Sequence, residues 1–83
     1  MNTETIQETV KEIMASIFSI DASNIDADAS LGTVPAWDSL QHLNLMMALE
    51  QAFGVRISIE DAVDMTTFPA VCETLKRYLE QRD

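Results

Sequence analysis

What is scarce in this sequence narrows its chemistry before any motif is read. There is one cysteine, Cys72, and one histidine, His42, among 83 residues. A lone cysteine makes no intrachain disulfide, and one cysteine with one histidine does not by itself assemble a zinc site. Glycine and proline number 2 each, and alternation of apolar with polar residues is sparse, which argues against an all-β fold. Basic residues are few: 5 Lys and Arg stand against 14 Asp and Glu, a formal charge of −9. Such a surface repels the phosphates of nucleic acid and of anionic membranes, so neither is expected as a partner. A protein with a basic patch is the natural complement, charge speeding encounter more than setting affinity. No apolar run approaches the roughly 20 residues that cross a membrane. The opening Met-Asn-Thr-Glu-Thr lacks the positive and apolar stretches of a signal peptide. A monomeric, cytoplasmic protein is expected.

The hydrophobic fraction of 47% is that of a folded domain. The length allows a single domain over residues 1–83, burying only about 60% of its unfolded surface. The first periodic segment runs from about Glu4 to Phe18. Ile6, Val10, Ile13 and Ile17 share one helical face, with Met14 and Phe18 widening it. Thr3 or Thr5 is placed to cap it, Thr5 with Glu8 having capping-box spacing. A second helix spans about Asp38 to Phe53, with Asp38 as N-cap and Gly54 closing it. Val55-Arg56-Ile57 reads as extended, and Ser58 with Asp61 opens a short third helix to Val63 or Asp64. Thr66 or Thr67 caps a fourth helix that tolerates Pro69 in its first turn, carries Val71, Leu75, Tyr78 and Leu79, and ends near Gln81. The expected fold is all-α: three long helices, a short third one, and a long loop between the first and second.

That loop, Ser19 to Trp37, is long for a compact domain, where connections above about 12–15 residues are uncommon. It must be held by its own apolar residues, for which Ile20, Ile25, Leu31 and Val34 are the candidates. Its acidic residues invite a calcium-loop reading, which fails on spacing. Counting from Asp26, Asp28 and Ser30 fall on ligand positions, but Leu31 stands where glycine is required and Trp37 where a bidentate Glu belongs.

The second helix has two apolar stripes. At about 100° per residue, Leu45, Met46, Leu49 and Phe53 gather on one side as a core face. Leu40, Leu43 and Met47 form another, nearly opposite, with Gln41, Asn44 and Gln51 on one border and Glu50 on the other. A small bundle rarely buries both sides of one helix. The second stripe is therefore either a docking surface with a polar rim or the seat of the folded-over loop. Ser39 lies beside it in the first turn, where unpaired backbone N–H groups and the helix dipole favour a phosphate ester on its hydroxyl. No catalytic base serves Ser39: Asp38 is better used as a cap, and the wheel turns His42 to the core side as a packed, hydrogen-bonded residue. A triad within one turn would also lack an oxyanion hole.

Trp37-Asp38-Ser39-Leu40 at a helix start, followed by Met47-Ala48-Leu49-Glu50 and Phe53-Gly54-Val55, resembles the acyl carrier proteins, small acidic four-helix proteins. The likeness runs from about Thr3 to Leu79. It implies that Ser39 carries 4′-phosphopantetheine, moved from coenzyme A by a magnesium-dependent phosphopantetheinyl transferase, with Asp38 as part of the motif. The arm's thiol would hold an acyl cargo as a thioester, and the protein, itself no enzyme, would present it to acyl-loading and acyl-processing enzymes with basic or apolar docking patches. Leu40, Leu43 and Met47 match the family's apolar recognition positions, and Glu50 one of its acidic ones. Cys72 is then a buried small apolar residue and not the cargo thiol. Gln41, Asn44 and Gln51 replace acids of the fatty-acid-synthesis carriers, and Thr33-Val34-Pro35-Ala36-Trp37 replaces their acidic approach. Both departures suggest a stand-alone carrier for a dedicated pathway; its cargo, whether fatty acyl, polyketide, aminoacyl or hydroxyacyl, is left open, with the acidic composition mildly favouring an acyl over a peptidyl or aminoacyl carrier. A peptidyl or aminoacyl carrier, or an unmodified helical adaptor binding through Leu40, Leu43 and Met47, would share these features.

Overall fold

The computed structural model describes residues 2–26 and 28–81; Met1, part of the signal-peptide reading, lies outside them. Four helices follow in order: α1 (Thr3–Phe18), α2 (Ser39–Phe53), α3 (Ile59–Asp64) and α4 (Phe68–Gln81), with one 3₁₀ turn (Ala22–Asn24) between α1 and α2. The all-α expectation and the short third helix are as the sequence indicated. No described helix is long and apolar enough to cross a membrane.

The cap of α1 differs from expectation. Asn2, not Thr3 or Thr5, is the N-cap, its side-chain oxygen accepting the Thr5 N–H at 2.8 Å. Asn ranks above Thr at this position, and starting one turn earlier leaves Thr5 as a capped residue and not a capping one. The buried face is also rotated. Ile6, Val10, Met14 and Phe18 are buried while Ile13 and Ile17 are only half-buried, so the strict i, i+4 row faces the core. The other caps fall where the sequence placed them. Asp38 accepts from the Gln41 N–H, Ser58 from the Asp61 N–H and Thr67 from the Ala70 N–H. Gly54 closes α2 at φ 66°, a left-handed conformation that costs glycine nothing.

The core lies where α1 meets α2 and α4. Leu45, Met46, Leu49 and Phe53 of α2 and Phe68, Val71, Cys72 and Leu75 of α4 close on the α1 row. The long loop is held partly by backbone pairing: the Leu31 N–H donates to the Thr66 carbonyl at 2.8 Å and the Phe68 N–H to the Ala29 carbonyl at 2.9 Å. Its apolar anchors are Ile25, Ala29 and Trp37, with Ile20 and Val34 half-buried. Leu31 was expected among them and is instead 39% exposed, since its backbone, not its side chain, makes the attachment. Asp26 turns its carboxylate onto the Asp28 N–H at 2.9 Å, a local turn bond.

Helix α3 contributes no fully buried residue; Ala62, half-buried, packs against the core, and the rest of its attachment is polar. Tyr78 of α4 donates its hydroxyl to Asp61 and accepts from the Ser58 N–H at 3.2 Å, and Arg77 pairs with Asp61 at 3.0 Å. The Tyr78 hydroxyl chiefly holds the Asp61 carboxyl below its ordinary value of 3.8; partial burial opposes this, and Arg77 and Ser58 add to it. Because folding favours the carboxylate, the stabilisation is complete above that ordinary value and is lost as pH falls through the lowered folded one. Asp61→Asn should therefore melt below wild type at about pH 6, with the gap narrowing as pH falls below the ordinary carboxylate value. A gap constant over the range would show that the carboxylate's charge is not what holds α3.

Candidate attachment site and docking face

Ser39 is the first residue of α2 and is exposed. The preceding Asp38 is extended and folds its carboxylate back onto the Gln41 N–H at 2.9 Å. The amides of the first turn beside Ser39 have no carbonyl one turn earlier to bond, so the serine oxygen stands at the positive end of a helix whose cap is already made. A phosphodiester there meets favourable dipoles and open solvent. The residues present fit such a group.

The second stripe is uncovered. Leu40, Leu43 and Met47 are 68%, 62% and 56% exposed, so the loop does not fold over them. Glu50 is half-buried, and its Oε2 accepts the Ile57 N–H at 2.8 Å. It fastens the connection after α2 as well as bordering the stripe. Gln41 and Asn44 are also occupied. Gln41 Nε2 donates to the Ile17 carbonyl at 3.3 Å, and Asn44 Nδ2 to Gln41 Oε1 at 2.8 Å. Gln41 thereby satisfies a carbonyl that the C-terminal turn of α1 leaves unpaired. An ionised Glu, which only accepts, could not make this bond.

The sequence reading missed two features. Ile59 and Val63, on one face of α3, are 84% and 67% exposed; the signal was an apolar i, i+4 pair in a helix too short to bury it. Trp37 is buried against Phe18, ring centroids 5.5 Å apart and planes tilted by 31°. A single indole at the end of the loop was its only mark. His42 is half-buried and hydrogen-bonded, as expected. Trp37 Nε1–H donates to its Nδ1 at 3.1 Å, and its Nε2 lies 2.8 Å from the Ala62 carbonyl. Cys72 is buried, and burial pushes its thiol up to about 11 against the opposing charge of Lys11. That keeps it a protonated, weakly nucleophilic core residue.

A small helical bundle with a serine heading its second helix and a bare apolar face beside it has the architecture of a carrier domain. The family model described as "Phosphopantetheine attachment site" matches residues 8–75. The chain is similar to the acyl carrier protein of Thermosynechococcus vestitus, 38% identical over 73 residues, covering 88% of this chain and 90% of that one. It is similar also to that of Solidesulfovibrio magneticus, 41% identical over 58 residues, covering 70% and 74%. Among solved structures it resembles the acyl carrier protein from Enterococcus faecalis, with a TM-score of 0.75 and 26% identity over 94% of this chain and 99% of that one. The chain belongs to the acyl carrier protein family. Its members are non-catalytic carriers that bear acyl groups on covalently attached 4′-phosphopantetheine and work with partner enzymes, and this protein shares that function and cofactor.

Proposed function

We propose that Ser39 Oγ is the attachment point, that a phosphopantetheinyl transferase loads it, and that Leu40, Leu43 and Met47, bordered by Glu50, receive the partner enzymes. The observation that carries this reading is the exposed serine at the capped start of α2, flanked by an uncovered apolar stripe. Once attached, the arm supplies a thiol that holds the acyl group as a thioester. On loading, Ser39 Oγ gives up its proton and bonds to the phosphorus that bears the arm, while the pyrophosphate bond of coenzyme A breaks and adenosine 3′,5′-bisphosphate leaves. His42 has both ring nitrogens committed and Asp38 is turned onto the Gln41 amide, so the base comes from the transferase. Cys72, buried and protonated, does not compete with the arm's thiol. We read residues 1–83 as one cytoplasmic, monomeric carrier domain. Intact mass spectrometry after incubation with a broad-specificity transferase, magnesium and coenzyme A tests the assignment: one phosphopantetheine mass is expected, on the peptide holding Ser39. No addition, where a control carrier is modified, would favour the adaptor reading.

Dedication to one pathway is supported by Gln41, Asn44 and Gln51 in place of acids. Docking should then depend less on salt than for a fatty-acid-synthesis carrier, since screening over about 10 Å at 0.1 M weakens exposed charge pairs and not apolar contacts. With one transferase acting on both carriers across a salt series, a shallower rise in KM is expected here. Matching slopes would remove this support, and Asp26 and Asp28 of the loop would be the acids to test next.

A further inference from the structure

His42 and Trp37 bracket the Asp38-Ser39 pair, and the hydrogen bond between them closes a ring around it. An indole N–H only donates and a backbone carbonyl only accepts. The contacts at Nδ1 and Nε2 are therefore satisfied together by one form alone, the neutral imidazole with its proton on Nε2. In that form one ring joins the residue before the motif, the first turns of α2 and the carbonyl of Ala62 in α3. The two aromatic rings lie nearly parallel, centroids 6.1 Å apart with 24° between planes. Helix α3 fully buries no side chain of its own, so the bond at Ala62 and the cluster of Asp61 with Tyr78 and Arg77 are its two polar fastenings.

Resting on the reading of Ser39 as the attachment point, we propose that His42 is a positioning residue acting as a proton-sensitive clasp: neutral, it ties Trp37 and α3 to the start of α2, and protonated, it releases Trp37. The proton enters at Nδ1 and gives imidazolium two N–H groups. The bond to Ala62 survives, while Trp37 Nε1–H faces a donor and loses its acceptor. The charged groups on the surrounding elements are Asp38 at the head of α2 and Glu60, Asp61 and Asp64 on α3, with Arg77 of α4 paired to Asp61. The last turn of α1 holds no basic residue, and between Asp28 and Asp38 the loop carries no charge. The clasp thus sets the geometry of the Ser39 turn without touching the reacting atoms.

The full chain carries one tryptophan and one histidine, so the titration can be read without mutation. Histidine changes charge between about pH 5 and 8. In a pH series the indole N–H resonance and Trp37 emission should change together with the His42 ring resonances, and the nitrogen shifts of the neutral ring should report the Nε2–H tautomer. In His42→Gln, which keeps a donor toward Ala62 but does not titrate, the transition should vanish. Transferase kinetics supply the second arm. The ratio of wild-type to Trp37→Phe KM, taken at each pH so that the enzyme's own dependence cancels, should move about three- to tenfold between the ends of the range, the worth of one hydrogen bond, with the kcat ratio flat. An indole signal that ignores the His42 titration, or a KM ratio constant with pH, overturns the clasp. The spectroscopic arm needs no modification of Ser39, so failure of the attachment reading appears separately, as a wild-type chain that gains no mass at any pH.

Discussion

Ser39→Ala will accept no phosphopantetheine under conditions that modify wild type completely, and will keep its helical circular dichroism. The first part follows from chemistry: removing Oγ removes the oxygen that forms the bond to phosphorus, and no second serine shares its setting. Ser30 exchanges hydrogen bonds with Thr33, Ser58 caps α3, and Ser19 closes α1 in a left-handed conformation. The second part follows from the structure, because the cap of α2 belongs to Asp38 and the residue that replaces Ser39 is the best helix former. Asp38→Ala is the informative companion. It removes the cap at a cost of about 1 kcal/mol and leaves the hydroxyl in place, so its loading should slow and not stop. Intact mass for each variant, read beside its circular dichroism, checks both statements. Modification that persists in Ser39→Ala would move the site elsewhere.

The elements were legible in this sequence because their ends are marked. Asp38, Gly54, Ser58 and Thr67 each offer a capping group at a change of periodicity, and each caps a helix in the folded protein. The two stripes of α2 were equally plain, since spacing alone sorts Leu45, Leu49 and Phe53 from Leu40, Leu43 and Met47. What spacing did not resolve was whether the second stripe is covered, which depends on the path of the loop. That path is set by pairing of the Ala29 and Leu31 backbone with the segment entering α4, and backbone pairing leaves almost no trace in side-chain pattern. For the same reason Leu31 was mistaken for an anchor while Ala29, small and unremarked, is buried. The Trp37–His42–Ala62 chain was out of reach because each link is single: one indole, one imidazole and one carbonyl, without periodicity. Polar residues on the helix faces were read as a solvated rim, yet Gln41 and Glu50 both complete backbone groups of neighbouring segments.

Leu49→Ala should unfold the domain far more readily than Leu43→Ala, although the two residues stand on the same helix. Leu49 is fully buried in the cluster formed by α1, α2 and α4, where removing a leucine side chain costs about 2–5 kcal/mol. Against a total of about 5–15 kcal/mol for a folded domain, that is a large share, and for a chain of this size it lowers Tm by roughly 8–40 °C. Leu43 is 62% exposed, and a surface substitution away from caps and buried partners stays within about 0.5 kcal/mol. Its loss should instead appear in partner binding, as a raised KM for the transferase with Tm nearly unchanged. Thermal melts of both variants, with loading kinetics at a temperature where both are folded, separate the two roles of α2. Equal losses of Tm would mean that the stripe of Leu40, Leu43 and Met47 is buried in solution, and the docking face would have to be sought on Ile59 and Val63 of α3.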